Sequence, residues 1–465
     1  MNKVKAFFAA IGAWFARAGI DVGKWFKNWF VPVDGKSIIP VRIGLWFKSL
    51  FVKIDGIDEP RLKTLYKKPA TKSILSSILC IVVGIVIGVV ILVVVGIVSD
   101  DCNANDILRG VLILFVGPLY TGSRARIEIG IDPFAIGNML LTATPLVMTG
   151  LSVAIAFKTG LFNIGAPGQY LIGTMASLLV ALSVPSNTPF GGFCVWLLAL
   201  LCGMLAGALW GTIPGLFKAI LGVNEVIVCI MTNWIAANLV SWVFNGSSFV
   251  NSEGGKTGYL HNTLYNNVAT PRLLMDKIFP TSWADGGIII AILFAIVVYI
   301  ILNKTTFGFE LKACGSNRNA ARYAGMHDKR NIILSMAIAG ALAGAGASLY
   351  YLNGNTEFYW NTYMSLPADG FNGIPIALLA SSNPIGVIFA AIYMAFLTAG
   401  GGKLGNFTAF NSFIADLIIA VIIYFASFSN LFRQILEGKK KKNDNGENKN
   451  VIQSNATAST TVTKE

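Results

Sequence analysis

From Ile74 to Val98 the chain runs without one charged side chain. A helix apolar on every face has to be buried in protein or lipid, and this run is long enough to cross a bilayer with some tilt. Comparable runs recur at Leu140–Phe157, Ile164–Val184, Phe193–Phe217, Val223–Phe244, Gly286–Leu302, Asn331–Leu352, 371–383, 384–401 and Ser412–Leu436. Only 13% of the 465 residues are charged, against about 25% in a soluble domain. The expected fold is therefore an all-α polytopic membrane protein of about ten transmembrane helices. Two segments read as incomplete spans. FNGIPIALLASSN at 371–383 is broken by glycine and proline, and Ile107–Tyr120 is interrupted by Arg109, Gly117 and Pro118 and reads as interfacial or re-entrant. Gly203, Gly207, Gly211 and Gly215 fall at intervals of four on one face of the fourth span, with Gly340, Gly344 and Gly346 on or near one face of the seventh. Such faces let helix backbones approach closely in lipid.

Basic residues orient the bundle. With ten spans both termini lie on one side, and 29 of the 36 Lys and Arg fall there. Cytoplasmic segments carry that excess, so both termini are expected in the cytoplasm. The net charge of +13 is then topological and calls for no nucleic-acid partner. Residues 1–72 mix 14 basic residues with Trp and Phe and repeat WFKNWFVPVDG (Trp25–Gly35) as WFKSLFVKIDG (Trp46–Gly56). They read as an amphipathic arm on membrane lipid. Residues 73–436 form the transmembrane domain, and 437–465 a polar cytoplasmic tail. The first long apolar run begins too late for a cleaved leader and reads as an uncleaved anchor.

Chemistry of its own is not visible. Six scattered cysteines and two histidines make no metal or disulfide pattern. Gly255-Lys256-Thr257 ends like a phosphate loop, but Val250 stands where the first glycine is required. The chain is expected to be no enzyme, to hold no cofactor, and to draw energy from elsewhere. Glu225 and Asp416 lie at span ends rather than at mid-membrane, which weakens an ion-coupled carrier. Trp234, Asn238, Trp242 and Asn245 share one helical face and are candidates for a polar path.

The basic island 303–330 interrupts the spans. Ser316 is expected to cap a short helix, Asn317–Ala324, with Gly325 closing it in a left-handed turn. Pattern alone leaves open a docking helix or a solvated loop.

Four stretches carry a resemblance. GLFNIGAPGQYLIG (Gly160–Gly173), Glu225-Val226-Ile227 with Ile230-Met231-Thr232-Asn233, Asn319-Ala320-Ala321 followed by Gly325, and Gly370-Phe371-Asn372-Gly373-Ile374 with Ala377-Leu378-Leu379 occur in order. Together they resemble permeases of bacterial ABC importers for simple sugars and nucleosides, and are most like the first permease subunit of nucleoside systems. Asn319 and Asn372 stand where that family has Glu and Asp. The resemblance implies a plasma-membrane importer subunit working with a cytoplasmic ABC ATPase, a second, paralogous permease and an extracytoplasmic substrate-binding lipoprotein. It implies that Ser316, Asn317, Asn319, Ala320, Ala321, Arg322, Tyr323 and Gly325 couple to the ATPase. Asn163, Gln169, Asn233 and Asn372, inside the matching stretches, join Trp234 and Asn238 as candidate substrate-pathway residues. A simple-sugar permease and an ion-coupled carrier are the alternatives.

Overall fold

A computed structural model describes residues 69–432, apart from short stretches of which 252–255, 259–267 and 359–364 are the longest. The aromatic repeat and the lysine-rich tail lie outside the described residues. The chain divides into compact units at 1–75 and 76–465, and the second holds the helical bundle.

Eight described helices are long and apolar enough to cross a membrane: α1 (Pro69–Val98), α3 (Pro133–Lys158), α4 (Ala166–Ser183), α5 (Pro189–Leu216), α6 (Glu225–Phe244), α8 (Gly287–Lys304), α11 (Asp328–Tyr351) and α13 (Pro384–Phe407). Between them stand shorter helices: α2 (Ala104–Val116), α7 (Met275–Ile278), α9 (Thr306–Ser316), α10 (Arg318–Tyr323), α12 (Ala368–Leu379) and α14 (Ser412–Ala426). The protein is a multi-pass helical membrane protein. Its only described strands form a small antiparallel ribbon, Val250–Asn251 with Lys256–Gly258, inside the long loop after α6.

Local chemistry sets the helix ends. The third helix starts seven residues before the expected Leu140. Asp132 accepts the Phe134 amide at 3.0 Å, and Pro133 fits the first helical position, where no amide is needed. Likewise the Thr188 hydroxyl accepts the Gly191 amide at 3.1 Å, and α5 starts at Pro189. Beyond Leu216 it relaxes into a π turn, Phe217–Leu221, that ends at left-handed Gly222. Lys218 then pairs with Glu225 at 2.8 Å, which ties the end of α5 to the start of α6.

The centre is a three-helix stack of α5, α11 and α4. A Cβ on Gly207 would meet the carbonyl of Gly340, one on Gly344 that of Gly203, and one on Gly173 the backbone of Gly344. α5 and α11 run antiparallel along this seam, since Gly203 faces Ser348 while Gly215 faces Ile333 and Met336. Water supplies no drive for helix association inside lipid, so such backbone-to-backbone contact must hold the bundle together.

The two incomplete spans are half-helices. α2 packs beside α1 through Gly96 against Ile107. The chain then turns back through Gly117–Leu119, where Lys403 donates to the carbonyls of Pro118 at 2.9 Å and Tyr120 at 2.6 Å. α12 starts inside the bundle, with Gly370 against Pro167 in the first turn of α4. It ends where Ser77 donates to the Leu379 carbonyl at 2.6 Å. A left-handed pair, Ser381 and Ser382, reverses the chain into α13.

Candidate functional site

The basic island folds into two helices. Thr305 caps α9 through the Gly308 amide at 3.1 Å. The expectation that Ser316 caps the next helix is corrected: Ser316 is the last residue of α9. Asn317 is the cap of α10, its side chain accepting the Ala320 amide at 3.0 Å. An extended residue must separate the two helices, and Asn317 is extended. Gly325 closes α10 at φ +79°. Its amide bonds the Arg322 carbonyl and the Met326 amide bonds the Ala321 carbonyl, both at 3.0 Å. This paired closure satisfies carbonyls that the helix end would leave open.

Six residues cannot hold a helix by themselves, so α10 depends on what pins it. Asp328, at the start of α11, accepts from Arg318 Nε at 2.8 Å and from Arg322 Nη2 at 3.0 Å. Ala321 is buried beneath. A second tie joins α9 to α11: Glu310 accepts from Asn331 at 2.9 Å and Arg330 at 3.2 Å. Gly315 lies against the backbone of Lys158–Gly160, the turn between α3 and α4. Asn319, Ala320, Arg322 and Gly325 stay exposed, and Tyr323 is 94% exposed. The result is a clamped helix that offers an aromatic ring and polar atoms to solvent. Asp328, Glu310 and Asn331, which build the clamp, were not picked out from the sequence; Asp328, ten residues after Arg318 and six after Arg322, gave no local spacing signal.

The pathway candidates separate into three groups. Asn163, Gln169 and Asn233 are buried and come together. The Asn163 and Gln169 amides bond each other reciprocally at 2.9 and 3.1 Å, and Asn163 also donates to Ser152 at 3.2 Å. Asn233 accepts the Gly168 amide and donates to the Ile164 carbonyl, both at 2.9 Å. In this arrangement the three amides brace the Gly160–Gly168 elbow against α3 and α6. Trp234 and Asn238 lie on the exposed outward face of α6, away from that brace, and Asn238 donates to its own helix at the Trp234 carbonyl. Asn372 is half-buried on α12.

At the opposite end from α10 lie two cavities on α3. One, of about 740 Å³, is lined by Tyr120, Asp132, Phe134 and Lys403. The other, of about 660 Å³, is lined by Trp283, Tyr350, Tyr351, Asn355, Glu357 and Asp369. They share Asn138 and Thr142. Asp369 belongs to the first turn of α12, inside the bundle. Sequence reading left it in a polar loop, because a half-helix start looks like any turn until its packing is seen, here Gly370 on Pro167 and Gly373 on Thr149. Nearby, Asp285 is buried; it accepts the Gly287 amide at 2.8 Å and the Asn353 amide at 2.6 Å. Burial pushes its carboxyl up to about 6, against the lowering effect of those bonds.

A lipid-packed bundle with half-helices, a cavity at one end and a clamped exposed helix at the other has the build of a transport permease. A family described as "Branched-chain amino acid transport system / permease component" matches residues 135–427, and the chain belongs to it. The chain is similar to the guanosine ABC transporter permease protein NupP of Bacillus subtilis, 37% identical over 67% of this chain and 86% of that protein. It is similar to the nucleoside ABC transporter permease protein NupB of Lactococcus lactis, 36% identical over 66% and 82%. The glucose ABC transporter permease protein TsgB13 of Haloferax volcanii is 28% identical over 70% and 89%. No solved structure matches.

Proposed function

We propose that this chain is the permease subunit of an ATP-driven importer that passes nucleosides from an extracytoplasmic binding lipoprotein into the cytoplasm. ATP would be hydrolysed on a separate cytoplasmic ABC ATPase, with a second, paralogous permease completing the pore. The observation that carries the reading is α10, a helix too short to stand alone, clamped from below and presented to solvent. A partner that grips Arg322, Tyr323 and their neighbours differently in two states can shift the bundle between them. On this reading α10 and both chain termini face the cytoplasm and the cavities face outward. Nucleosides rank ahead of simple sugars because the relatives named for guanosine and nucleosides exceed the one named for glucose by eight to nine points of identity.

Uptake of labelled guanosine tests this in cells that lack other nucleoside uptake and produce the complete transporter. Uptake should persist when ion gradients are collapsed and stop when ATP is depleted. Excess hexose should not compete. Arg322→Glu and Gly325→Pro should abolish uptake while the protein still reaches the membrane. Normal uptake in both variants would remove α10 from the coupling role.

A further inference from the structure

We propose that the cavity between Trp283, Tyr350, Tyr351 and Asp369 is a transit site for an uncharged nucleoside, specific against its phosphate esters. This rests on the nucleoside reading above. A cavity of about 660 Å³ falls in the range of small-molecule sites, about 300–1,000 Å³.

Its lining has the two chemistries a nucleoside needs. Trp283, Tyr350 and Tyr351 offer aromatic faces on which a base can stack. Asn138, Asn355, Glu357 and Asp369 offer acceptors, and two of these also donate.

The aromatic wall is held in advance. The Trp283 amide donates to Asn138 Oδ1 at 2.9 Å, and its carbonyl accepts Asn353 Nδ2 at 2.9 Å. Its backbone is thus fixed on both sides while its ring stays half-exposed. Tyr351 sits edge-on to both Tyr350 and Tyr170. The Tyr170 hydroxyl is buried and has no hydrogen-bond partner among the described residues. An unpaired buried hydroxyl costs free energy, and this one lies one ring from the cavity wall.

Charge sets the specificity. The described lining holds two carboxylates, Glu357 and Asp369, and no Lys or Arg. A phosphate ester would meet like charge, and such a repulsive element is how a site rejects a near-identical ligand. Position then makes the site part of a path: Asp369 opens α12 within the bundle, where Gly370 meets the first turn of α4.

Photolabelling of the complete transporter in nanodiscs, without binding protein, tests this. The probes are 8-azidoguanosine and its 5′-monophosphate. The nucleoside should label peptides that contain Trp283 or Tyr350–Glu357, and unlabelled guanosine should compete. The monophosphate should label at least tenfold less. Trp283→Ala should cut nucleoside labelling about tenfold, and Asp369→Asn should narrow the gap between the probes. Phe190→Ala, exposed on α5 and outside the cavity lining, should change neither. Labelling elsewhere, or equal labelling by both probes, overturns the site. If cells with the transporter take up guanosine while the cavity goes unlabelled, the site fails and the substrate reading stands. If they take up none, the substrate reading fails and the site with it.

Discussion

Removing the Asp328 carboxylate should release α10 without unfolding the bundle. Asp328 is 8% exposed in its side chain, while Arg318 and Arg322 are 35% and 59% exposed. Each pair is worth about 4 kcal/mol of bare attraction at 4 Å and an effective dielectric of about 20. Solvent reaches both guanidinium groups, and that screening brings each pair down to about 1 kcal/mol. Asp328→Ala should therefore weaken the local closure by about 2 kcal/mol, and Asp328→Asn, which keeps one acceptor, by about 1. Nothing in a six-residue helix absorbs that loss. Amide hydrogen exchange reports such local opening directly. Exchange across Ala320–Met326 should quicken about 30-fold in Asp328→Ala and about fivefold in Asp328→Asn, since about 1.4 kcal/mol is a factor of ten. Exchange in Gly340–Ser348, within the glycine seam, should stay at its wild-type rate. Rates in 320–326 within twofold of wild type in both variants would refute the clamp.

Three other outcomes are expected on the same grounds. Gly207→Leu should prevent accumulation of folded protein in the membrane, because its Cβ would meet the Gly340 carbonyl; Gly402→Ala, with nothing near its Cβ, should accumulate normally, as quantified by fluorescence-detected size exclusion. Gln169→Ala leaves Asn163 buried without its reciprocal partner and should destabilise by about 2–3 kcal/mol, while Asn163→Ala with Gln169→Ala should cost less than the sum of the singles, read as thermal midpoints in detergent. Asp285 has its carboxyl raised to about 6 in the folded protein against about 3.9 unfolded. The folded state thus favours the protonated form, the stability is fully present below about pH 4, and it is lost as pH rises through 6. Between pH 7.5 and 5 the protein should gain about 1 kcal/mol from this group, and Asp285→Asn should flatten that part of the profile.

Spans were legible because a bilayer demands long apolar runs, and composition alone reports them. The run at Ile74–Val98 could not be anything else. Where helices begin was less legible, since Asp132 and Thr188 cap in polar stretches that look like loop until the cap is seen closing on Phe134 or Gly191. The short helix was expected at Asn317–Ala324 and spans Arg318–Tyr323; Gly325 marked its end because glycine takes the left-handed closure without a Cβ clash. Its cap was misplaced by one residue, as Ser and Asn both cap well. Only the need for one extended residue between α9 and α10 separates them.

The pathway residues were the least legible, for a physical reason. An amide inside a membrane bundle has to find partners whether it touches substrate or not, so sequence cannot tell a lining amide from a bracing one. Asn163, Gln169 and Asn233 spend their donors and acceptors on each other, on Ser152 and on the 164–168 backbone. The elbow they hold leads into the first turn of α4, which meets α12 at Gly370; the preceding turn, Lys158–Gly160, touches α9 through Gly315. The elbow and the turn before it therefore touch both α9, beside α10, and the half-helix that carries Asp369 to the cavity. α11 makes the same connection by another route, from the Asp328 clamp at its first residue to Tyr350 and Tyr351 at its last turn. Its seam with α5 and α4 is largely backbone against backbone at Gly203, Gly207, Gly340 and Gly344, so a displacement imposed at the clamp meets little soft side-chain material before it reaches the cavity.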